Sequence, residues 1–316
     1  MRNGERPQAV LIAGPTASGK SALAVRIARA VGGAVINADS MQVYDGLRIL
    51  SARPLANEMG GVPHHLYGHR DPALAYSVGD WLREVEPLLQ TLRDENRVPV
   101  FCGGTGLYFR ALLGGLDEMP EVPQEVRTRW RERMAKEGPA RLHAVLRGAD
   151  PNAAARLRPS DPQRITRALE LAETRVLSGR QNGGIPGGRA LIDAASAWKI
   201  VIAPERTVLR ERIARRFDRM LAEGAEEEAA AFASRPGALD GLAGKAIGLA
   251  ELLAARDGQL TREAARERAI TRTRQYAKRQ ETWFRNQFGA DWTRLAEPDA
   301  FDEASLRTSR RLPLRS

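Results

Sequence analysis

The chain has few of the features that build disulfides, secretion signals or membrane spans. Cys102 is the one cysteine in 316 residues, so an intrachain disulfide is excluded and a reducing compartment is expected. No apolar run approaches the ~18–20 residues of a membrane span, and the N-terminal segment lacks a signal peptide's long apolar core. These absences predict a cytoplasmic protein with no membrane partner.

Histidine is also scarce, at four residues. His64 and His65 lie in the stretch "VPHHLYGHRDP" and suggest a metal site at first sight. No cysteine or carboxylate stands at ligand spacing from them, so we interpret them as loop structure. Cys102 falls inside a predicted strand, which indicates a buried thiol.

Positive charge is abundant. Lysine and arginine total 49 against 39 aspartate and glutamate residues, giving a net charge of +10 and a pI of about 10.4. This balance favours polyanionic partners, with nucleic acid first, although a basic soluble protein without such a partner has the same composition.

Short apolar runs that end in glycine or aspartate alternate with helical periodicity, which predicts a parallel α/β sheet. The predicted strands span 8–14, 32–39, 97–106 and 197–204. Between the last two, the sequence shows helical stretches separated by proline and glycine. We therefore predict a core formed by 1–118 and 196–316, and an all-helical insertion domain at 119–195. Helices at 205–223, 225–233, 243–256 and 261–287 follow, and the tail after 305 is expected to be disordered.

The stretch "GPTASGKS" follows the first strand and has the spacing G-x-x-x-x-G-K-[ST] of a phosphate-binding P-loop. In such a loop, backbone N–H groups at a helix N-terminus surround an anion. The predicted diphosphate-binding residues are Gly14, Pro15, Thr16, Ala17, Ser18, Gly19, Lys20 and Ser21. Lys20 adds a positive charge, and Ser21 offers a hydroxyl to Mg²⁺. Taken alone, the motif predicts nucleotide and ATP binding equally well.

Polar residues follow two further strand ends, where open α/β sheets place their chemistry. Asp39 is a candidate general base, with a capping or metal-anchoring role as the alternative. Thr105 follows two glycines and can contact either the leaving group or the nucleophile, unless it only caps a helix. Ser40 and Gln42 can hydrogen-bond a flat substrate edge.

Two helical segments carry clustered basic residues. The stretch 271–287 interleaves arginines and Lys278 with Tyr276, Trp283 and Phe284. Such a helix can reach phosphates and stack bases, although an amphipathic helix with a solvated basic face has the same pattern, and Trp283 is expected in the core. The segment 160–170 begins with an Asp-Pro helix start and places Arg164 and Arg167 one turn apart.

Seven segments between residue 11 and about 290 together resemble the tRNA dimethylallyltransferases, also called tRNA isopentenyltransferases. They are "GPTASGKSALA", "INADSMQVYDGL", "PHHLYGHRDPALAYSVGDW", "VFCGGTGLYFRALLGGL", "DPQRITRALE", "ERIARRFDRMLAEG" and "QYAKRQETWFRNQ". The resemblance implies a P-loop NTPase-like core. It also implies transfer of a dimethylallyl group from dimethylallyl diphosphate to the exocyclic N6 amine of the adenosine 3′-adjacent to the anticodon (position 37), in tRNAs reading UNN codons.

By the same resemblance, Asp39 takes a proton from the adenine amine and Thr105 lies where the two substrates meet. The enzyme is then expected to use Mg²⁺ and to act as a monomer on the anticodon stem-loop. The tRNA-contacting residues implied are Asp39, Ser40, Met41, Gln42, Thr105, Arg127, Gln163, Arg164, Ile165, Thr166, Arg167, Lys278, Arg279, Gln280 and Arg285.

The sequence departs from the family pattern at two places. Leu50, Ser51 and Arg53 stand where glycine, threonine and lysine are usual, and "KAIGLAE" at 245–251 lacks the usual aromatic and basic residue. Three alternatives share the P-loop: a small-molecule kinase, a prenyltransferase acting on free adenine nucleotide, and an RNA-binding protein with a nucleotide switch. A small substrate does not require the basic helices, and a switch does not require Asp39 beside Thr105.

Overall fold

The computed structural model describes residues 7–115, 122–178 and 188–301. Its contacts divide the chain into two compact units, Met1–Leu113 with Ala190–Ser316, and Gly114–Arg189. The bounds predicted from sequence lie five or six residues further along the chain at each junction. The tail after residue 305 and most of the segment 178–188 lie outside the described residues.

A six-stranded, all-parallel sheet forms the centre of the first unit, in the order β3-β2-β4-β1-β5-β6. The strands are β1 (Ala9–Ala13), β2 (Gly33–Asn37), β3 (His64–His65), β4 (Val98–Gly103), β5 (Ala197–Ile202) and β6 (Thr293–Leu295). The predicted α/β class with a P-loop NTPase-like sheet is thereby confirmed.

Two of these strands, β3 and β6, are absent from the sequence prediction. The interpretation of His64 and His65 as loop structure is wrong, because they pair in parallel with Val35 and Ile36 at the edge of the sheet. A strand of two or three residues has no measurable alternation of polarity, so only its pairing partner reveals it.

Twelve α-helices are present in the described ranges. They are α1 (Lys20–Val31), α2 (Ala56–Met59), α3 (Val78–Asp94), α4 (Gly106–Gly114), α5 (Gln124–Glu137), α6 (Pro139–Ala149), α7 (Pro151–Arg156), α8 (Pro162–Leu177), α9 (Arg206–Ala222), α10 (Ala225–Ala233), α11 (Leu249–Arg256) and α12 (Arg262–Gln287). The predicted helix 243–256 is wrong in its first half. Gly248, at φ 99°, separates a 3-10 turn over Ala243–Lys245 from α11.

The buried core lies on both faces of the sheet, as β1 illustrates. Its side chains alternate, so that Leu11 joins a large cluster that includes residues of α3 and α9–α12. Val10 and Ile12 point to the opposite face, where α1 and Phe301 cover them. Because both faces are buried, β1 reads as a continuous apolar run.

The second unit contains α5 to α8 and has its own apolar core, in which Trp130, Leu142 and Ile165 are buried. The predicted Asp-Pro helix start is confirmed, since the Asp161 carboxylate accepts a hydrogen bond from the Arg164 amide and Pro162 begins α8. None of the helices within the described ranges has both the length and the apolar character that crossing a bilayer requires.

Candidate active site

The P-loop, residues 14–19, connects β1 to the N-terminus of α1. Gly19 caps the helix at φ 86°, a left-handed conformation that favours glycine. The Ser18 amide donates to the Pro15 carbonyl at 3.2 Å, and the Lys20 ammonium donates to the same carbonyl at 3.3 Å. The buried Ser18 hydroxyl has no hydrogen-bond partner among the described residues. This loop therefore offers amides, a hydroxyl and a cation at a helix N-terminus, which suits a phosphate group.

Two half-buried cations line the P-loop. Burial lowers the pKa of Lys20, and the nearby Arg216 charge lowers it further, whereas Cys102 and Asp39 raise it. Arg216 reaches from α9 and donates a hydrogen bond to the Thr16 hydroxyl. Burial lowers the pKa of Arg216 to about 10, against the opposing effect of Asp39. An anion bound here would offset the desolvation of both cations.

Asp39 follows the carboxyl end of β2 and is held by its neighbours. Its Oδ1 accepts a hydrogen bond from the Met41 amide at 2.9 Å. The Asn37 side chain accepts from the Asp39 amide and donates to the Asp39 carbonyl, each at 2.9 Å. The indole of Trp81 donates to the Asn37 carbonyl at 2.9 Å. The carboxylate is thus fixed through one oxygen, and its Oδ2 faces Gly104, 3.2 Å from where a Cβ would stand on that glycine.

Thr105 joins the ends of β2 and β4. Its hydroxyl accepts from the Ser40 amide at 2.9 Å and donates to Ser40 Oγ at 3.2 Å, so its side chain bonds to the neighbouring strand end. The two strand ends approach so closely that a Cβ on Gly103 would lie 1.9 Å from the Ala38 carbonyl oxygen. This close approach brings Thr105 and Asp39 together beside the P-loop.

The residues fit a magnesium ion held mainly by substrate. Ser21 lies exposed in the first turn of α1, near Cys102, a buried thiol whose pKa is raised to about 11 by burial. No cluster of three or more histidine, cysteine or acidic side chains suited to a metal occurs in the described parts of the chain. A hydroxyl oxygen together with phosphate oxygens and water is a set that Mg²⁺ prefers.

The segment after Asp39 is anchored by Gln42. Its amide donates to the carbonyls of Ser51 and Ala52, both at 2.9 Å, and Met41 packs against the core. The side-chain nitrogen of Gln42 therefore positions the loop, and only its oxygen remains for a substrate edge.

Helix α12 has two different faces near this site. Lys278, Arg279 and Arg285 are exposed, as a nucleic-acid contact requires. Gln280 is buried, at 5% exposure, so its side chain lies on the inward face of the helix, and its predicted tRNA contact stays a prediction. Trp283 is half-buried and packs against the core, in agreement with its predicted role.

In the helical unit, Gln163, Arg164 and Arg167 are exposed on α8. Ile165 is fully buried in the core of this unit, so its predicted tRNA contact, which stays a prediction, would use its backbone. Thr166 is also buried and donates to the Pro162 carbonyl at 2.8 Å. Arg127 is half-buried, beside Val122, Pro123 and Gln124.

The two segments that depart from the family pattern pack together. Leu50 is buried, and its Cδ2 lies 3.0 Å from where a Cβ would stand on Gly248, next to the buried Leu249. The Glu228 carboxylate accepts hydrogen bonds from the amides of Ile49 and Leu50 at 2.7 and 2.8 Å. The leucine at position 50 thus fills space beside the altered "KAIGLAE" segment.

Sequence reasoning missed Arg216 as a site residue. It belongs to the segment "ERIARRFDRMLAEG", which contains several arginines, and nothing in the spacing distinguishes the one that reaches Thr16. That distinction depends on how α9 packs against the P-loop.

A parallel sheet with a P-loop that opens toward a fixed carboxylate defines a P-loop NTPase-like α/β protein. Comparison with known proteins narrows this class. A family model described as IPP transferase matches residues 42–287, and one described as Isopentenyl transferase matches residues 7–69. The chain therefore belongs to the tRNA dimethylallyltransferase (IPP transferase) family of prenyltransferases, as its sequence motifs predicted.

Relatives and solved structures agree with this assignment. Proteins named tRNA dimethylallyltransferase from Rhizobium johnstonii and Agrobacterium fabrum are 54% and 53% identical, over 91% of this chain and 96% of theirs. The full-length tRNA isopentenylpyrophosphate transferase of Bacillus halodurans is 34% identical, with a TM-score of 0.66, covering 95% of this chain and 93% of that one. A eukaryotic dimethylallyltransferase acting on tRNA is 26% identical, with a TM-score of 0.70, covering 87% and 69%.

Proposed function

We propose that this enzyme transfers the dimethylallyl group of dimethylallyl diphosphate to the N6 amine of adenosine 37 in tRNAs that read UNN codons. The observation that carries the proposal is the Asp39 carboxylate, fixed at the edge of a P-loop that Lys20 and Arg216 make positive. Relatives named tRNA dimethylallyltransferase favour this activity over the kinase and over a prenyltransferase acting on free nucleotide.

Residues 14–21, which are the P-loop and the first two residues of α1, would hold the diphosphate as the leaving group. The N6 nitrogen attacks C1 of the allyl chain while the bond from C1 to the diphosphate oxygen breaks, and the electron pair leaves with the diphosphate. Lys20, Arg216 and the amides at the start of α1 stabilise this developing charge. Mg²⁺, when bound near Ser21, would supply further charge neutralisation.

Asp39 would accept the proton that N6 loses. Its Oδ1 is occupied by the Met41 amide, so Oδ2, which faces Gly104, is the oxygen suited to this task. Thr105 and Ser40, joined by hydrogen bonds, would line the place where the adenine edge meets the allyl carbon. The adenine must leave its stack to reach them, which costs a few kcal/mol and least in a loop.

The exposed cations of α12 would bind tRNA phosphates, together with Gln163, Arg164 and Arg167 of α8. We include Asp39, Ser40, Met41 and Gln42, the backbone around Ile165 and Thr166, and Arg127 as further contacts. A cytoplasmic enzyme that acts as a monomer completes the proposal.

The test incubates the protein with radiolabelled dimethylallyl diphosphate, Mg²⁺ and unmodified tRNA that has adenosine 3′ of its anticodon. Label is expected in the tRNA, and a tRNA with guanosine at that position should receive none. Transfer of label to AMP but not to tRNA, or consumption of ATP without transfer, would overturn the proposal.

A further inference from the structure

Gln280 of α12 is a buried amide with both ends of its side chain engaged. Its Oε1 accepts a hydrogen bond from the Thr16 amide at 2.9 Å, and its Nε2 donates to the Gly104 carbonyl at 3.0 Å. These partners stand 264 and 176 residues away in the chain. One side chain therefore connects α12 to the P-loop and to the end of β4.

The two partners of Gln280 belong to the two halves of the candidate site. Thr16 lies in the P-loop, where Arg216 also holds its hydroxyl. Gly104 precedes Thr105 and faces Asp39 Oδ2. A Cβ on Gly104 would stand 2.1 Å from Gln280 Nε2, so the contact requires glycine there. Gln280 thus fixes the position of the P-loop relative to the side of the site that carries the Asp39 carboxylate.

The helix that carries Gln280 also carries the candidate tRNA contacts. Lys278 and Arg279 immediately precede it and are exposed, whereas Gln280 points inward. A small shift of α12 would be transmitted to Thr16 through a single, partly buried hydrogen bond. If Gln280 were lost, the buried Gly104 carbonyl and the partly buried Thr16 amide would be left without these partners, which is costly.

We propose that Gln280 is a positioning residue. From its place on α12, the helix that binds tRNA in the proposed function, it holds the P-loop in the conformation that binds the diphosphate. It does not itself contact the reacting atoms. The proposal rests on the proposed function, since it takes the P-loop ligand to be a diphosphate. Its physical basis is preorganisation, because a loop already held by Thr16 loses less entropy when the anion binds.

The test measures binding of inorganic pyrophosphate with Mg²⁺, by titration calorimetry, to the wild type and to Gln280→Met. Methionine retains the volume of glutamine without its hydrogen bonds. Pyrophosphate is expected to bind about tenfold more weakly to the variant, while the Kd for an anticodon stem-loop changes less than about twofold. Gln275→Met, the same substitution at an exposed position of α12, should change neither value.

Gly104→Ala provides a second route to the same contact, since its methyl group displaces the Gln280 amide. It should weaken pyrophosphate binding similarly, and the double variant should bind no more weakly than either single one. Unchanged pyrophosphate binding in Gln280→Met would overturn the proposal. So would an equal loss of stem-loop affinity, which would make Gln280 a tRNA contact or a general stabilising residue. Failure of the wild type to bind pyrophosphate would instead contradict the proposed function, and this inference with it.

Discussion

Replacing Asp39 by asparagine isolates its role as a base. In the wild type, Asp39 Oδ1 accepts a hydrogen bond from the Met41 amide at 2.9 Å. Asparagine retains an Oδ1 that can accept the same hydrogen bond, so the loop after β2 should remain in place. Alanine would remove that hydrogen bond as well, so a lower rate could come either from the lost base or from a displaced loop. Only the capacity to take a proton from the adenine amine is lost in Asp39→Asn.

The size of the effect follows from what a positioned base contributes. General base catalysis is worth about 10²–10⁴ in rate, or roughly 2.7–5.4 kcal/mol of transition-state free energy. Because the P-loop and the exposed cations of α12 are untouched, tRNA affinity should stay within about twofold. We therefore expect kcat to fall by at least about a hundredfold, without a matching change in binding.

The assay is steady-state, multiple-turnover transfer of labelled dimethylallyl to an anticodon stem-loop, alongside fluorescence anisotropy for stem-loop affinity. Asp94→Asn is the matched control, since Asp94 is an exposed carboxylate at the end of α3. A kcat for Asp39→Asn within threefold of wild type would refute the assignment as a base. Affinity that falls as far as kcat would make Asp39 a binding residue.

Three further outcomes are expected. Burial raises the pKa of Cys102 to about 11. At pH 8 a disulfide reagent should therefore modify the thiol of the native protein at least about a hundredfold more slowly than that of the denatured protein. Equal rates would contradict this expectation. Burial lowers the pKa of His64 and His65 in the folded chain, so below about pH 6.5 the unfolded chain binds more protons than the folded chain. The free energy of unfolding should therefore be at its full value above about pH 6.5 and should decline below it. Urea midpoints should show a smaller acid decline when both are replaced by glutamine, and an unchanged decline would argue against these histidines. Charge reversal at Lys278 and Arg285 should weaken tRNA binding and reduce its salt slope by about one per lost phosphate contact, whereas an unchanged slope would place these side chains away from the RNA.

Local sequence determined the parts of the site that are close together in the chain. The apolar run of β1, the glycines of the P-loop and the start of α1 form one continuous signal, because each conformational requirement is met within a few residues. Asp39 and Thr105 were placed at neighbouring strand ends for a similar reason, since parallel strands present their carboxyl ends at one edge. The Asp161–Pro162 helix start is likewise a local effect.

Tertiary structure decided the contacts that join distant segments. The periodicity of α12 groups Gln280 with its basic neighbours, and only the packing of the helix shows that this side chain turns inward to Thr16 and Gly104. Arg216 cannot be distinguished from the other arginines of α9 until that helix lies against the P-loop. Strands β3 and β6 exist because longer strands pair with them. The sequence by itself thus determined the chemistry available at the site. Packing between segments more than a hundred residues apart decided which side chains hold the site in place. The reason is that spacing along one segment carries no information about its distant partners.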